Sequence, residues 1–129
     1  MREHGDYTVE VENEIIIVTF IGMFNELASK NVCNIVEEYI DSLNGNYFYM
    51  LMNLLMYEGS TPEGHEVGNK HAIWLERQNC LGKAVVTTGE VLLDIVRNEQ
   101  DDLKHSNIVT NVFQNKLEAK NWLLSLQKI

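Results

Sequence analysis

Hydrophobic and polar residues follow two different periods along this chain, and the changes between them divide it into strands and helices. Residues 7–12 alternate with a period of two, as a half-exposed strand does. Residues 15–21 are apolar and rich in β-branched side chains, which predicts a second, more buried strand that ends at Gly22. Since only a short turn at Asn13 separates the two strands, they are predicted to form an antiparallel hairpin.

The next segment changes to the helical period. Its apolar residues form one stripe that continues to about Leu43, its charged residues lie largely outside the stripe, and Asn25 can cap the helix. Gly45 suits the left-handed conformation that often follows a helix. Residues 47–56 are apolar without alternation, which is typical of a strand covered on both faces, so we place this strand in the centre of a sheet.

The rest of the chain alternates between strands and helices. A short turn from Tyr57 to Thr61 leads into a helix that runs to about Gln78, with Thr61 as its cap and Pro62 in its first turn. The remaining predicted elements are a buried strand at 83–87, a helix carrying Leu92, Leu93, Ile95 and Val96, a strand at 108–113, and a last helix with Asn115 and Glu118 at capping-box spacing. The residues that this last helix is expected to bury are Ala119, Trp122, Leu123 and Leu126, with Trp122 as the anchor.

The predicted order of elements is therefore ββαβαβαβα. Strands and helices that alternate after a hairpin predict an α/β fold, with a mostly parallel five-stranded sheet and helices packed on it through right-handed crossovers. No internal repeat, low-complexity tract or linker interrupts the pattern, so residues 1–129 are predicted to form a single domain.

Charge and composition exclude some classes of partner. The chain has 19 acidic and 10 basic residues, a net charge of -9, and no compensating run of lysine or arginine. A nucleic-acid backbone or an anionic lipid surface would repel such a protein. No apolar stretch approaches the roughly 20 residues that a spanning helix needs, and no signal peptide is recognisable. We therefore expect a cytoplasmic protein without nucleic-acid binding or membrane insertion.

The residues that usually carry catalysis do not form recognisable constellations. Cys33 and Cys80 form no C-x-x-C pair, and His65 and His71 are six residues apart, which does not match a zinc-binding pair on a helix. No nucleophile elbow, phosphate-binding loop or dinucleotide fingerprint is present. Thr61 precedes His65 by one helical turn, but helix capping explains Thr61 more simply. We expect no catalytic residue, no metal and no cofactor, and hence no enzyme.

The most informative segment is residues 53–64, which end the central strand and open the following helix. In an open parallel sheet, the edge at the carboxyl ends of the strands is the usual binding site. The candidate partner- or ligand-binding residues at this edge are Asn53, Glu58, Ser60, Thr61, Glu63, Gly64 and Gly68. Glu63 could stabilise the positive end of the helix or recognise a partner, and both interpretations stay open.

A stripe of small residues on the second helix suggests more than one use. Gly64, Gly68 and Ala72 recur every four residues, and a glycine inside a helix costs about 1 kcal/mol relative to alanine. Close packing on the sheet is the simpler explanation for this cost. A groove for a partner, or room for a ligand, is the functional alternative.

With these elements in place, the chain resembles the STAS domains, the SpoIIAA-like family of anti-sigma-factor antagonists. The resemblance rests on residues 15–27, on residues 53–64, and on Val112-Phe113 followed by Glu118-Ala119-Lys120-Asn121-Trp122-Leu123. This last passage is similar to the closing strand and Glu-Ala-x-x-Trp-Leu helix of an uncharacterised bacterial branch of the family. The match in element order covers nearly the whole chain and implies a non-catalytic regulatory module that binds a protein partner or itself.

The same resemblance implies that a regulatory feature of the family has been lost. Family members carry Asp-Leu-Ser and Asp-Ser-Ser-Gly at these positions, and a partner kinase phosphorylates the second serine of the latter motif, which releases the bound partner. Here Asn53 replaces the first aspartate, and Thr61-Pro62-Glu63-Gly64 replaces Asp-Ser-Ser-Gly. Glu63 therefore stands where the family has its phosphoacceptor serine.

An alternative function is the binding of a small apolar molecule or lipid in a pocket under the second helix. The residues that could line such a pocket are Tyr47, Tyr49, Met50, Met52 and Met56. They are more typical of a core, but methionine also lines adaptable binding sites. A copurified ligand would favour this alternative, whereas a defined protein partner without one would favour the regulatory module.

Overall fold

The computed structural model describes residues 1–89 and 108–126, which contain five strands and three helices. In chain order these are β1 (Asp6–Glu12), β2 (Ile15–Phe24), α1 (Glu26–Ser42), β3 (Phe48–Ser60), α2 (Pro62–Leu75), β4 (Cys80–Val86), β5 (Thr110–Phe113) and α3 (Lys116–Ser125). The helix predicted around Leu92 and Val96 lies outside the described residues.

The strands form one sheet in the order β1-β2-β3-β4-β5. β1 and β2 are antiparallel and every other neighbouring pair is parallel, which confirms the predicted fold class and the central place of β3. The hairpin turn consists of Asn13 and Glu14, both with positive φ, at 51° and 64°. Two such residues match the twist of the strands they join, so this short turn sets the hairpin register.

Helices cover both faces of the sheet, and each face has its own core. On one face, buried residues of β2 such as Ile16 and Val18 pack with the α1 stripe of Val32, Val36 and Ile40. On the other face, the neighbouring β2 residues Ile15 and Ile17 pack with β3, β4 and α3. Because side chains alternate along a strand, one apolar run supplies both cores.

The three predicted helix caps are confirmed. The side chain of Asn25 accepts a hydrogen bond from the backbone N–H of Ala28, at 3.0 Å, and Asn115 accepts one from Glu118, at 2.8 Å. The side chain of Thr61 caps α2 in the same way. Each cap satisfies a backbone donor that the helix itself leaves unpaired, typically worth about 1 kcal/mol.

Two predicted boundaries at the carboxyl edge are wrong, and both strands run further than expected. β2 does not end at Gly22 but continues to Phe24, and the predicted turn after Tyr57 is the last part of β3. The strand ends pair with each other in parallel, with Gly22 opposite Tyr57 and Phe24 opposite Ser60. Smaller corrections are that α2 ends at Leu75 rather than near Gln78, β4 begins at Cys80 rather than 83, and β5 begins at Thr110 rather than 108.

Candidate functional site

The end of β3 is irregular because it carries more residues than the segment of β2 that it faces. From the pair Thr19–Asn53 to the pair Ile21–Met56, β3 contains one residue more than β2. A second extra residue of β3 lies between the pairs Gly22–Tyr57 and Met23–Gly59. Such β-bulges bend a strand and redirect its side chains, and they are frequent beside functional sites. The carboxamide of Asn53 accepts a hydrogen bond from the N–H of Leu55 at 3.2 Å and so supports the first bulge.

The bulged segment exposes apolar side chains that a regular strand would bury in alternation. Leu55 is 42% exposed and Met56 is 63% exposed, although they are neighbours in the chain. On the paired end of β2, Met23 is 51% exposed. We call Met23, Leu55 and Met56 the edge patch. Its three exposed apolar side chains lie in the carboxyl-terminal halves of β2 and β3, and apolar side chains are enriched at the centre of protein interfaces.

The hydroxyl groups of Ser60 and Thr61 are already engaged within the protein. The hydroxyl of Thr61 accepts a hydrogen bond from the N–H of Gly64 at 3.1 Å, and the Thr61 N–H donates to the carbonyl of Phe24 at 2.8 Å. The hydroxyl of Ser60 is hydrogen-bonded to the hydroxyl of Tyr57. Ser60 and Thr61 therefore fix the junction between β3 and α2.

Glu58 and Glu63 are exposed on either side of this junction. Within the described residues neither forms an ion pair with a basic side chain. Glu63 lies in the first turn of α2, where a carboxylate is favoured by the positive end of the helix dipole. Two solvent-facing carboxylates beside the edge patch leave this surface available for recognition by a basic partner.

Gly64 and Gly68, predicted to form one stripe, have different surroundings. A Cβ atom on Gly64 would lie 2.9 Å from the hydroxyl oxygen of Ser29 and 3.3 Å from the carbonyl oxygen of Phe24. Gly64 therefore allows the start of α2 to approach α1 and β2 closely. A Cβ atom on Gly68 would meet no atom within 4 Å, so close packing does not explain this residue.

The open space beside Gly68 belongs to a cavity of about 170 Å³ between the sheet and helices α1 and α2. Its walls are mainly apolar, with Met50, Met52 and Leu54 from β3 among them. The polar residues that also line it include His65, Asn69, His71, Glu76 and Lys83. The proposed methionine pocket is thus only partly as expected, because Met56 is on the surface and both Tyr47 and Tyr49 pack on the opposite face of the sheet.

His71 connects the two helices that border this cavity. Its Nδ1 atom lies 2.8 Å from a carboxylate oxygen of Glu37 on α1, and its ring stacks on Trp74. Burial lowers the pKa of His71 below the ordinary value of 6.5, Glu37 opposes this change, and Lys83 adds to it. The neutral ring is therefore favoured near pH 7, with its Nδ1–H donating to Glu37.

This arrangement predicts that the protein loses stability in mild acid. Because the pKa of His71 is lower in the folded than in the unfolded chain, the unfolded state binds the proton first as the pH falls below 6.5. The free energy of unfolding, measured with urea at about pH 7.5 and about pH 5.5, should fall more for wild-type protein than for His71→Gln. An equal fall in both proteins would show that His71 does not contribute.

The two cysteines are partly buried thiols, and the described residues contain no grouping of side chains suited to a metal ion. Burial raises the pKa of the Cys33 thiol to about 12 and that of Cys80 to about 11, so both remain protonated and poorly nucleophilic. In the part of the chain that the structure describes, no three or more His, Cys, Asp or Glu side chains are grouped in a way that could hold a metal ion.

Solved structures with the same architecture place this fold among known proteins. An uncharacterised protein of the DUF3478 family with a SpoIIAA-like fold, from Shewanella loihica, matches with a TM-score of 0.74 and 12% identity over 95% of this chain and 96% of its own. An anti-sigma factor antagonist from Mycobacterium paratuberculosis matches with a TM-score of 0.67 and 11% identity over the same shares. The chain therefore has the SpoIIAA-like fold, as the sequence resemblance predicted.

Two further comparisons were negative. No protein-family model matches the sequence, and no curated protein does so either.

In the described parts of the chain, no helix combines the length and the apolar character that crossing a membrane requires.

Proposed function

We propose that this protein is a cytoplasmic regulatory module that binds a protein partner through the carboxyl edge of its sheet and has no catalytic activity of its own. The observation that carries the proposal is the bulged end of β3, which exposes the edge patch beside Glu58 and Glu63. An apolar centre with charged neighbours is the usual composition of a protein interface. The shared fold with an anti-sigma factor antagonist supports the same interpretation.

The proposed interaction is not controlled by phosphorylation at the start of α2. Glu63 has no hydroxyl, and the hydroxyls of Ser60 and Thr61 are hydrogen-bonded to Tyr57 and to the backbone of Gly64. A glutamate carries about one negative charge, against about 1.5 to 2 for a phosphoserine, so Glu63 reproduces only part of a phosphorylated state. The module is therefore held in one binding state, or its partner accepts an acidic residue at this position.

The experiment that tests this function is affinity capture from the native cell with matched variants. Met56→Glu places a charge in the edge patch, and Leu117→Glu makes the same change at an equally exposed site on α3. We expect Met56→Glu to weaken capture of the partner roughly tenfold or more, as a buried charge at an interface centre does, and Leu117→Glu to leave it unchanged. Equal capture by both variants would contradict the proposed edge.

The same assay can distinguish recognition of a partner by Glu63 from a merely structural effect of a carboxylate in the first turn of a helix. Glu63→Gln and Glu118→Gln each remove one exposed carboxylate from the first turn of a helix, α2 and α3 respectively. If Glu63 recognises the partner, only the first variant should reduce capture. Intact-mass and peptide mass spectrometry of this protein, isolated from its native cell, should show no phosphate on Ser60 or Thr61, and stoichiometric phosphate there would restore a switch.

A second candidate function is small-molecule binding, and the cavity beside Gly68 is the observation that favours it. A pocket with mainly apolar walls and a few polar groups is typical of a ligand site. Native mass spectrometry of gently purified protein would detect a retained ligand as an added mass. Gly68→Leu, which inserts a side chain into the open space, should remove that mass while leaving partner capture intact.

A further inference from the structure

We infer that the cavity between α2 and the sheet binds a small monocarboxylate with a hydrocarbon body, whose carboxylate pairs with Lys83. This inference rests on the second candidate function and names the class of its ligand. It is independent of the partner interaction at the carboxyl edge.

The apolar walls define the body of the ligand. Met50, Met52 and Leu54 of β3 and Val85 of β4 line the cavity on the side of the sheet. The volume of about 170 Å³ is close to that of an engineered apolar cavity of about 150 Å³ that takes up benzene. A ring or a short hydrocarbon chain of similar bulk therefore fits, whereas a complete two-chain lipid does not.

Lys83 defines the head group. It lies on β4 between apolar residues. The next residue, Ala84, is fully buried in the core that includes α3. Lys83 lies on the opposite face of the sheet, where it lines the cavity. A cation that is partly withdrawn from water is normally paired with an anion. Yet within the described residues Lys83 forms no ion pair, although Glu76 lines the same cavity.

The titratable groups near Lys83 also bear on the head group of the ligand. Lys83 and His71 both line the cavity, and the charge of Lys83 contributes to the lowering of the His71 pKa. The carboxylate of Glu37 is already hydrogen-bonded to the His71 ring and lies outside the cavity wall. Within the described residues, an incoming carboxylate would thus find an ammonium group that forms no ion pair.

The test is a titration followed by amide chemical shifts in nuclear magnetic resonance, with hexanoate, hexanol and hexylamine as probes of equal chain length. We expect hexanoate to bind most tightly and to shift the amides of Gly68 and Val85. Equal binding of hexanoate and hexanol would overturn the inference and leave the second candidate function standing. No binding by any probe, or shifts confined to other surfaces, would overturn both.

Matched variants assign the head group. Lys83→Met keeps the length of the side chain but removes its charge, and it should weaken hexanoate binding roughly tenfold or more without weakening hexanol, since a hydrogen bond to a charged group is lost. Lys70→Met makes the same change at an exposed residue of α2 outside this cavity and should have no effect. If Lys83→Met binds hexanoate as tightly as wild-type protein does, the inference is wrong.

Discussion

Replacing Leu123 with alanine should lower the free energy of unfolding by about 2–5 kcal/mol, more than any other truncation in α3. Leu123 is 0% exposed and packs in the core that α3 forms with β2, β3 and β4. Its removal would leave a cavity directly above β4, where Gly82 has no side chain to fill it. The measurement is urea unfolding, in which the midpoint should fall while the slope is unchanged.

Trp122→Ala is the matched comparison, because the sequence favoured Trp122 as the anchor of this helix. Its ring is only partly buried and packs against Phe113, with ring centroids 5.5 Å apart. Loss of an aromatic pair and of partial burial should cost about 1–2 kcal/mol, clearly less than the loss of Leu123. A larger effect for Trp122 than for Leu123 would reinstate Trp122 as the anchor.

The difference between these two residues shows why the sequence located the helix but not its anchor. The apolar stripe on α3 predicts, to within one residue, which side of the helix is buried. Its members are Ala119, Trp122, Leu123 and Leu126. Which member lies deepest depends on the strand beneath it. A Cβ atom on Gly82 would lie 3.3 Å from a methyl carbon of Leu123 and would collide with one of Leu126, so the missing side chain of Gly82 creates the space that they occupy. That contact joins residues about 40 positions apart, and local periodicity does not report it.

The end of β3 was mispredicted for a related reason. The central strand, the helix cap at Thr61 and the position of the edge all follow from local patterns, and all are confirmed. The bulges after Asn53 break the alternation of apolar and polar residues, and Gly59, with φ of +120°, resembles a turn residue in sequence. Parallel pairing with the distant end of β2 keeps this segment extended, and local patterns, which do not include that contact, suggest a loop.

The cavity could not be derived from composition or spacing, because it depends on the separation between α2 and the sheet. One local sign was available, since Lys83 lies in a short buried strand at a position whose neighbours are apolar. A charged residue on a covered face of a sheet indicates either an ion pair or a polar site. The pairing of His71 with Glu37, by contrast, joins α2 to α1 across 34 residues and leaves no local pattern.

Substituting alanine at Gly64 and at Gly68 should change stability in opposite directions. Gly64→Ala places a methyl group 2.9 Å from Ser29 Oγ and 3.3 Å from the Phe24 carbonyl, so α2 must move away from α1, at a cost of about 1–3 kcal/mol. Gly68→Ala meets no atom within 4 Å and should stabilise the protein by about 0.5–1 kcal/mol, because alanine is the better helix former.

Both substitutions lie in the same helix and add the same single carbon. The difference between their effects on the free energy of unfolding therefore reports the separation of α2 from its neighbours rather than helix propensity. Urea unfolding of the two variants and of wild-type protein measures that difference directly. Two stabilised variants would mean that the start of α2 is not held closely against α1 and β2. Two destabilised variants would mean that the space beside Gly68 is filled, which would remove the cavity on which the ligand-binding proposal depends.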